Sequence, residues 1–246
     1  MSGHDALTQA RIDLTAALRS ASRLGLSEGV CNHFSVAAPG TEDRFLINPQ
    51  GLRWSEIVPA DIVTVDVKGN RVEGRHEVEP TAFFIHARLH RSKRKPKVVL
   101  HTHMPYATAL TILEGGRLEP ASQNALRFYG RVGYDEAYNG LALDEAEGER
   151  IASRLNGGDV LFLANHGVIV CGESIAWAFD DLYYLERACM LQVLAQGTGK
   201  ALKRLPHAIA SATAKQHAAE RRQSDLFFAA MKRVLDREEP GWSALD

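Results

Sequence analysis

The most informative stretch of the chain is Val98-Val99-Leu100-His101-Thr102-His103-Met104-Pro105. Its apolar run predicts a buried β-strand, and the proline at its end predicts the first turn of a helix. Side chains alternate along a strand, so His101 and His103 should point to the same side and reach a single metal ion. Two imidazoles among valine and leucine are costly to bury unless a metal or hydrogen bonds keep both neutral. The pair therefore indicates a metal site, whereas either histidine alone would fit a hydrogen-bonded core position.

A third imidazole is expected to complete this site. It lies in Asn165-His166-Gly167, between two short apolar runs, and a glycine turn can present a side chain from a tight bend. Three histidine ligands with one open position are typical of a catalytic zinc site. We therefore predict a divalent metal on His101, His103 and His166. Zinc is favoured by ligand type, and manganese, cobalt or iron also suit such ligands.

The composition fits one globular domain. The chain has 246 residues, of which 45% are hydrophobic, so it can bury a sizeable core. The net charge of −1 gives no electrostatic footprint for nucleic acid, and the basic run from Arg91 to Lys97 is explained as a helix end. The three cysteines have no paired spacing, and no apolar run is long enough to span a membrane. With no signal-peptide pattern after Met1, these features predict a cytoplasmic protein.

Hydrophobic periodicity and turn residues predict an α/β domain with helices on both sides of a sheet. Closely spaced short strands in the first third of the chain favour antiparallel neighbours. Ser174 suits the N-cap of a long helix whose apolar stripe continues to Gly197. The other predicted elements are helices from about Asp5 to Leu24, Pro80 to Arg94, Pro105 to Leu113, Asp144 to Leu155 and Ala208 to Leu235, and strands at Phe34–Ala37, Arg44–Asn48 and Ile62–Asp66.

Three groups of residues together carry a family resemblance. They are Leu100 to Leu110 with its His-x-His pair, the later Asn-His-Gly, and the upstream run Ile47 to Gly51 followed by Val63 to Asp66. From about residue 8 to residue 200, the chain resembles the class II aldolase/adducin family. The resemblance implies a three-layer α/β/α sandwich around a mostly antiparallel sheet, the same three histidine ligands, and a homotetramer with active sites at subunit boundaries. We predict a single domain over residues 1–246, with a helical extension from about residue 205.

Departures from the family pattern bear on the substrate. The sugar-phosphate aldolases that the chain resembles hold phosphate with small hydroxyl and glycine residues in three loops. The corresponding loops here carry Asn32-His33, Gln50-Gly51 and Thr81, the last followed by alanine and phenylalanine. Short hydroxyls and backbone N–H groups approach phosphate closely, and glutamine or phenylalanine cannot copy that geometry. We therefore expect Asn32, Gln50, Gly51 and Thr81 to bind a small substrate without phosphate.

The acid/base glutamate of the resembled family is missing. Two alignments place either Ala82 or Phe83 at its position, and neither side chain can move a proton. Glu79 is the nearest carboxylate, although a charge just before a helix-opening proline is equally explained by the helix dipole. His33 and Tyr138 are the other candidates for proton transfer. The resemblance implies that a tyrosine at this position reaches a neighbouring subunit's site as proton donor, while the alternative for Tyr138 is packing at a subunit boundary.

These features predict a metal-dependent carbon–carbon lyase, either an aldolase or a decarboxylase, that acts on a small hydroxy or oxo acid. A metal on three neutral imidazoles stabilises the anion left when a C–C bond breaks, and both reactions pass through such an anion. Decarboxylation needs no base to start, which fits the missing glutamate. One alternative is an aldolase, epimerase or dehydratase of the same family acting on sugar phosphates. Another is an adducin-like interaction module, which would have no reason to keep three metal ligands.

Overall fold

Between residues 3 and 245, which the computed structural model describes, the strands form one eight-stranded sheet. The strands are β1 (His33–Ala37), β2 (Arg44–Ile47), β3 (Val63–Asp66), β4 (Arg71–Glu73), β5 (Val98–Thr102), β6 (Val132–Asp135), β7 (Val160–Leu163) and β8 (Gly167–Gly172). Their order across the sheet is β4-β3-β2-β1-β5-β8-β7-β6. Every neighbouring pair is antiparallel except β6 and β7, so the predicted mostly antiparallel sheet is confirmed.

Helices cover both faces of this sheet. They are α1 (Gly3–Arg23), α2 (Pro80–Arg91), α3 (Pro105–Thr111), α4 (Gln123–Leu126), α5 (Glu145–Arg154), α6 (Ile175–Gln196), α7 (His207–Ala219) and α8 (Arg222–Glu238). The pair α2 and α5 packs on one face, and α1, α3 and α6 pack on the other, which confirms the predicted three-layer α/β/α sandwich. Within residues 3–245, none of the helices is both long and apolar enough to cross a bilayer.

Alternation along the central strands decides which side chains meet which helix layer. Leu100 of β5 faces the large core under α1 and α6, whereas Val99 faces the smaller core beside α2, together with Ile85. His101 has the parity of Val99 and lies directly opposite His33 of β1. Directly opposed residues of an antiparallel pair share a face, so both imidazoles point to the side that α2 covers.

Two strands, β4 and β6, are absent from the sequence-based prediction. The three residues of β4 are all exposed at the sheet edge, so they lack the apolar alternation that marks a strand. β6 contains Gly133, where an added Cβ would lie 2.4 Å from the carbonyl oxygen of Arg154. A glycine inside a short run weakens the strand signal, but here it allows the close approach of the neighbouring backbone.

The predicted single helix from Ala208 to Leu235 is wrong. A turn at Glu220 and Arg221 separates α7 from α8. The guanidinium of Arg221 donates to the carboxylate of Asp181 on α6 through two hydrogen bonds of 3.0 and 2.9 Å. Helical periodicity continues on both sides of the turn and conceals it, because the contact that holds the turn joins residues forty positions apart.

After this turn, α8 packs into the main core. Phe228 and Leu235 are buried there, and the ring of Phe228 lies 5.8 Å from the ring of Phe179 on α6. Arg19 of α1 donates to Glu239, just beyond the end of α8, at 2.8 Å. The C-terminal helical extension therefore shares its core with the sandwich.

Candidate metal centre

The structure brings the three predicted ligands together. One ligand nitrogen from each of His101, His103 and His166 lies within 4.8 Å of the other two. The ring centroids are 4.8 to 5.0 Å apart. His101 is on β5, His103 lies just after that strand ends at Thr102, and His166 lies in the turn between β7 and β8. The alternation argument therefore identified the right pair, although His103 is one residue past the strand.

Hydrogen bonds fix the orientation of two of these rings. Nδ1 of His101 donates to the carbonyl oxygen of Val168 at 3.0 Å, and Nδ1 of His103 donates to a carboxylate oxygen of Glu28 at 2.5 Å. Both rings therefore present Nε2 as a lone pair. In residues 3–245, Nε2 of His103 is buried with no hydrogen-bond partner, a state that costs free energy unless a ligand satisfies it. A divalent ion fits this donor set, with Glu28 as the outer carboxylate that often accompanies a ligating histidine.

The ionisation of the cluster also suits a metal. Burial, with a contribution from nearby His103, lowers the pKa of His166 to about 4. Burial and the neighbouring imidazoles His33, His166 and His103 hold the pKa of His101 well below its ordinary value. These two rings are thus neutral near pH 7, and only a neutral imidazole can coordinate a metal.

Backbone conformation and close packing explain the residues of the Asn165-His166-Gly167 motif. Asn165 adopts a left-handed backbone with a φ of 56°, which asparagine tolerates better than most residues. A Cβ on Gly167 would lie 2.7 Å from the carbonyl oxygen of Thr102 and 2.8 Å from Cδ2 of His103. Gly167 therefore lets β8 start directly against the ligand loop, which places His166 beside the other two imidazoles.

His33 lies next to the ligands, as the sequence predicted for a residue of the site. Its side chain is 3% exposed, and its ring lies 4.7 Å from the ring of His101. Nδ1 of His33 is 2.8 Å from Nε2 of His86, which α2 supplies. Burial is the largest cause that holds the pKa of both His33 and His86 well below the ordinary histidine value. His86 was not predicted as a site residue. The only hint in the sequence is that His86 lies four residues before His90, on the helix that lacks the acid/base glutamate of the family.

Tyr138 reaches the site within one chain. Its ring is 52% exposed and lies 6.4 Å from the ring of His166 of the same chain. The loop after β6 thus folds back towards its own ligand turn, a placement that favours action within one chain. The expectation that Tyr138 serves a neighbouring subunit's site stays a prediction, since this geometry concerns a single chain.

Glu79 is engaged at the start of α2. One of its carboxylate oxygens accepts a hydrogen bond from the backbone N–H of Ala82 at 2.8 Å and another from the hydroxyl of Thr81. This is an N-cap arrangement, which satisfies a free N–H of the first helical turn. Ala82 is buried and Phe83 packs beside the sandwich core, so neither takes the place of an acid/base carboxylate. The hydroxyl of Thr81 is likewise turned towards the cap.

The remaining predicted substrate residues lie in two loops. Asn32 is buried; its Oδ1 accepts from the backbone N–H of Glu28 at 2.9 Å and from that of His103 at 3.5 Å. Two N–H donors at Oδ1 fix the amide orientation, and Nδ2 of Asn32 is left buried and unpartnered among the described residues. Gln50 and Gly51 form an exposed turn, and Gly51 has a φ of 83°. The side chain of Asn32 therefore contacts His103, one of the predicted metal ligands. Among the described contacts, the side chain of Gln50 has none with a predicted ligand.

Histidines whose pKa is lowered in the folded state predict acid sensitivity. In the unfolded chain each titrates near 6.5, whereas burial lowers the pKa of His90 to about 4 and that of His86 well below 6.5. Between these values the unfolded state binds more protons, so the free energy of unfolding should fall with decreasing pH by about 1.4 kcal/mol per unit per histidine. Urea unfolding of chelator-treated protein at pH 7, 6, 5 and 4.5 measures this slope. A profile that is flat between pH 6.5 and 4.5, or unchanged in His90→Gln, would contradict it.

Comparison with known proteins agrees with this architecture. The model of the class II aldolase and adducin N-terminal domain matches residues 12–193. A Pseudomonas aeruginosa protein whose name places it with the class 2 aldolases is 35% identical over 240 residues, which cover 95% of this chain and 92% of that protein. Decarboxylase NovR of Streptomyces niveus is 34% identical over 205 residues, which cover 81% of this chain and 74% of NovR.

A solved structure extends the agreement to three dimensions. An aldolase II superfamily protein from Pseudomonas syringae superposes with a TM-score of 0.89 at 32% identity, over 96% of both chains. The resemblance seen in the sequence is thereby confirmed over most of the molecule. With its three-histidine cluster on the matching sheet, the chain belongs to the class II aldolase and adducin family.

Proposed function

We propose that the protein is a metal-dependent carbon–carbon lyase, an aldolase or a decarboxylase, acting on a small hydroxy or oxo acid that carries no phosphate. The observation that carries this proposal is the convergence of three imidazoles, one of which has a buried Nε2 without a partner among residues 3–245. An interaction module has no use for such a costly arrangement. The name of the Streptomyces niveus relative, a decarboxylase, supports the same class of chemistry.

His101, His103 and His166 would hold the ion. When bound, a divalent ion supplies Lewis-acid stabilisation of the negative charge that develops on a substrate oxygen as the C–C bond breaks. The protein's own groups then have two tasks, which are to orient the substrate and to move protons between the substrate and the protein. Asn32 suits the first task, because its buried and unpartnered Nδ2 can donate to a substrate oxygen.

His33 and Tyr138 suit the second task. His33 is neutral, buried and in ring contact with His101, so it can accept a proton from a substrate hydroxyl in aldol cleavage. Tyr138 lies at the open side of the cluster beside His166, and its phenol can donate a proton to the carbanion after cleavage or loss of carbon dioxide. Glu79 keeps its place as the cap of α2 in this proposal, since its carboxylate is already bonded to the helix.

The absence of phosphate from the substrate rests on the loops that replace phosphate-binding segments. The helix start that carries small hydroxyl residues and a glutamate in the sugar-phosphate aldolases has Ala82 and Phe83 here, and the hydroxyl of Thr81 is bonded to Glu79. The turn before it presents the long side chain of Gln50. These groups leave few short donors for a phosphate dianion, whereas a carboxylate needs fewer.

Three further properties belong to the same proposal. The metal is zinc, because three imidazoles with an open position are a common zinc set. The assembly is a homotetramer, supported by the exposed apolar side chains of Ile112, Leu113, Leu141 and Leu143. The location is the cytoplasm, where the exposed thiol of Cys31 stays reduced.

A substrate screen tests the proposal. Zinc-loaded protein is incubated with hydroxy and oxo acids, aromatic ones included, and with sugar phosphates; carbon dioxide release reports decarboxylation and aldehyde release reports aldol cleavage. We expect turnover of at least one acid, abolished by a chelator and restored by zinc. Turnover of a sugar phosphate at a kcat/KM of about 10⁴ M⁻¹s⁻¹ or more would show that the substrate class is wrong. Full metal content with no turnover of any compound would favour the adducin-like alternative.

A further inference from the structure

We propose that four side chains, the buried His33, His86 and Ser35 and the half-buried His90, form a hydrogen-bonded chain that fixes the tautomer of His33 and leaves its Nε2 as an acceptor beside the metal ligands. We call these four residues the histidine chain. The inference rests on the proposed function, which gives His33 a part in proton transfer, and it adds three positioning residues that the sequence did not single out. Its test reads the tautomer directly and needs no substrate.

The links of the histidine chain are continuous. Nδ1 of His33 is 2.8 Å from Nε2 of His86, and Nδ1 of His86 contacts the hydroxyl of Ser35. The same hydroxyl is 2.7 Å from Nε2 of His90, and Nδ1 of His90 is 2.9 Å from the carbonyl oxygen of Pro96. His86 and His90 lie one helical turn apart on α2, and His33 and Ser35 lie two residues apart on β1. Successive members of the histidine chain therefore come alternately from β1 and α2.

The carbonyl group of Pro96, at the far end of the histidine chain, sets the direction of every hydrogen bond in it. Pro96 can only accept, so Nδ1 of His90 carries a proton, and its Nε2 in the neutral ring is an acceptor. Ser35 therefore donates to His90 and accepts from Nδ1–H of His86. Nε2 of His86 is then an acceptor, which requires that Nδ1 of His33 carries the proton. In a neutral ring, Nε2 of His33 is consequently a bare lone pair.

Neutral rings are what the surroundings favour. His86 is fully buried, and burial is the largest cause that lowers its pKa, followed by the nearby rings of His90 and His101. His90 packs against the ring of Phe45 at 5.0 Å, and burial lowers its pKa to about 4. Since a protonated ring would donate at both nitrogens, the one-way order of the histidine chain holds only for neutral rings.

Nε2 is the nitrogen of His33 that the histidine chain does not use, because Nδ1 makes the contact with His86. The ring lies 4.7 Å from that of the ligand His101, so an acceptor at Nε2 would serve aldol cleavage beside the metal ligands. The opposite tautomer would place an N–H there, which could donate to a substrate oxygen but could not accept a proton. The helix that lacks the family glutamate, α2, thus supplies His86. His86 in turn fixes the tautomer of His33, the imidazole that we propose to act in place of that glutamate.

Nitrogen NMR tests the inference on the zinc-loaded protein. Two-bond ¹⁵N–¹H correlations of histidine rings show which nitrogen carries the proton, and the His33 signals are assigned by their loss in His33→Gln. We expect His33 to be protonated at Nδ1 in the wild type. In Ser35→Ala and in His90→Phe, which both cut the histidine chain, at least about half of the His33 population should move to the Nε2–H form. A proton on Nε2 in the wild type, or no change in both variants, would overturn the proposal.

A conservative variant separates positioning from packing. In His90→Gln, the amide N–H can still donate to Pro96 and the amide oxygen can still accept from Ser35, so the wild-type tautomer should return. With a substrate in hand, Ser35→Ala should lower kcat by about tenfold or more with KM within about twofold, and His90→Gln should recover most of it. Failure to find any lyase substrate would count against the proposed function alone, because the NMR result is independent of turnover.

Discussion

We expect His101→Ala, His103→Ala and His166→Ala each to lose the metal and at least about a thousandfold of lyase activity, because an open three-ligand site cannot hold its ion with two imidazoles. Metal content measured by elemental analysis should fall from about one ion per chain to near zero in each variant. Glu28, the carboxylate that accepts from His103, should have a smaller effect on metal binding than the three ligands. Glu28→Gln should keep the fold and all three ligands but weaken metal affinity by about 10 to 100-fold, because it removes the charge that orients the ring of His103 at 2.5 Å.

His207→Ala is the matched control for this series. His207 is an exposed histidine on α7 whose Nδ1 contacts the hydroxyl of Tyr129, and it does not belong to the imidazole cluster. It should retain the full metal content and activity. Full metal retention in two of the three ligand variants would mean that the imidazole cluster is not the site. Equal metal affinity in Glu28→Gln and the wild type would show that Glu28 does not support the metal site.

The second large effect is expected at the proton-transfer groups. His33→Gln and Tyr138→Phe should each lower kcat by about 10² to 10⁴ while metal content stays at the wild-type level, because general acid–base groups contribute in that range. Loss of activity with the metal retained distinguishes these two residues from the ligands. If either variant keeps more than about half of the wild-type kcat, that residue does not transfer the proton.

Mixing experiments show whether Tyr138 acts within one chain. The structure places its ring 6.4 Å from that of His166 in the same chain, so Tyr138→Phe chains combined with His166→Ala chains should regain no activity. Each chain of such a mixture carries a defect in its own site. Recovery of about a quarter of the wild-type activity after co-refolding would instead show that the tyrosine serves a neighbour.

Local patterns in the sequence predicted much of the sandwich and the three histidines that converge in it. Strand alternation placed His101 and His103 on one side, and a glycine turn between two apolar runs placed His166. Ser174 was correctly identified as the cap of α6, where its side chain accepts from the backbone of Trp177. Each of these signals lies within a few residues, which is the range over which periodicity and capping act.

The partners that tune the site were not predicted. Glu28 meets His103 across 75 positions, and His86 meets His33 across 53. No periodic pattern encodes such pairs, because they arise only when strands and helices pack. Tyr138 was identified by resemblance, but its placement in the same chain follows from how the loop after β6 folds, which the residue types alone do not determine.

The packing of α8 sets where this chain can be divided. The match to the family domain ends at residue 193, yet Phe228 packs on Phe179 of α6 and Arg221 neutralises the buried carboxylate of Asp181. A truncation at that boundary would uncover an apolar face of α6 and leave a buried charge with fewer partners. We infer that the cooperative folding unit is longer than the segment that the family model matches, so expressed fragments and domain fusions should retain the chain through Trp242, which is also buried.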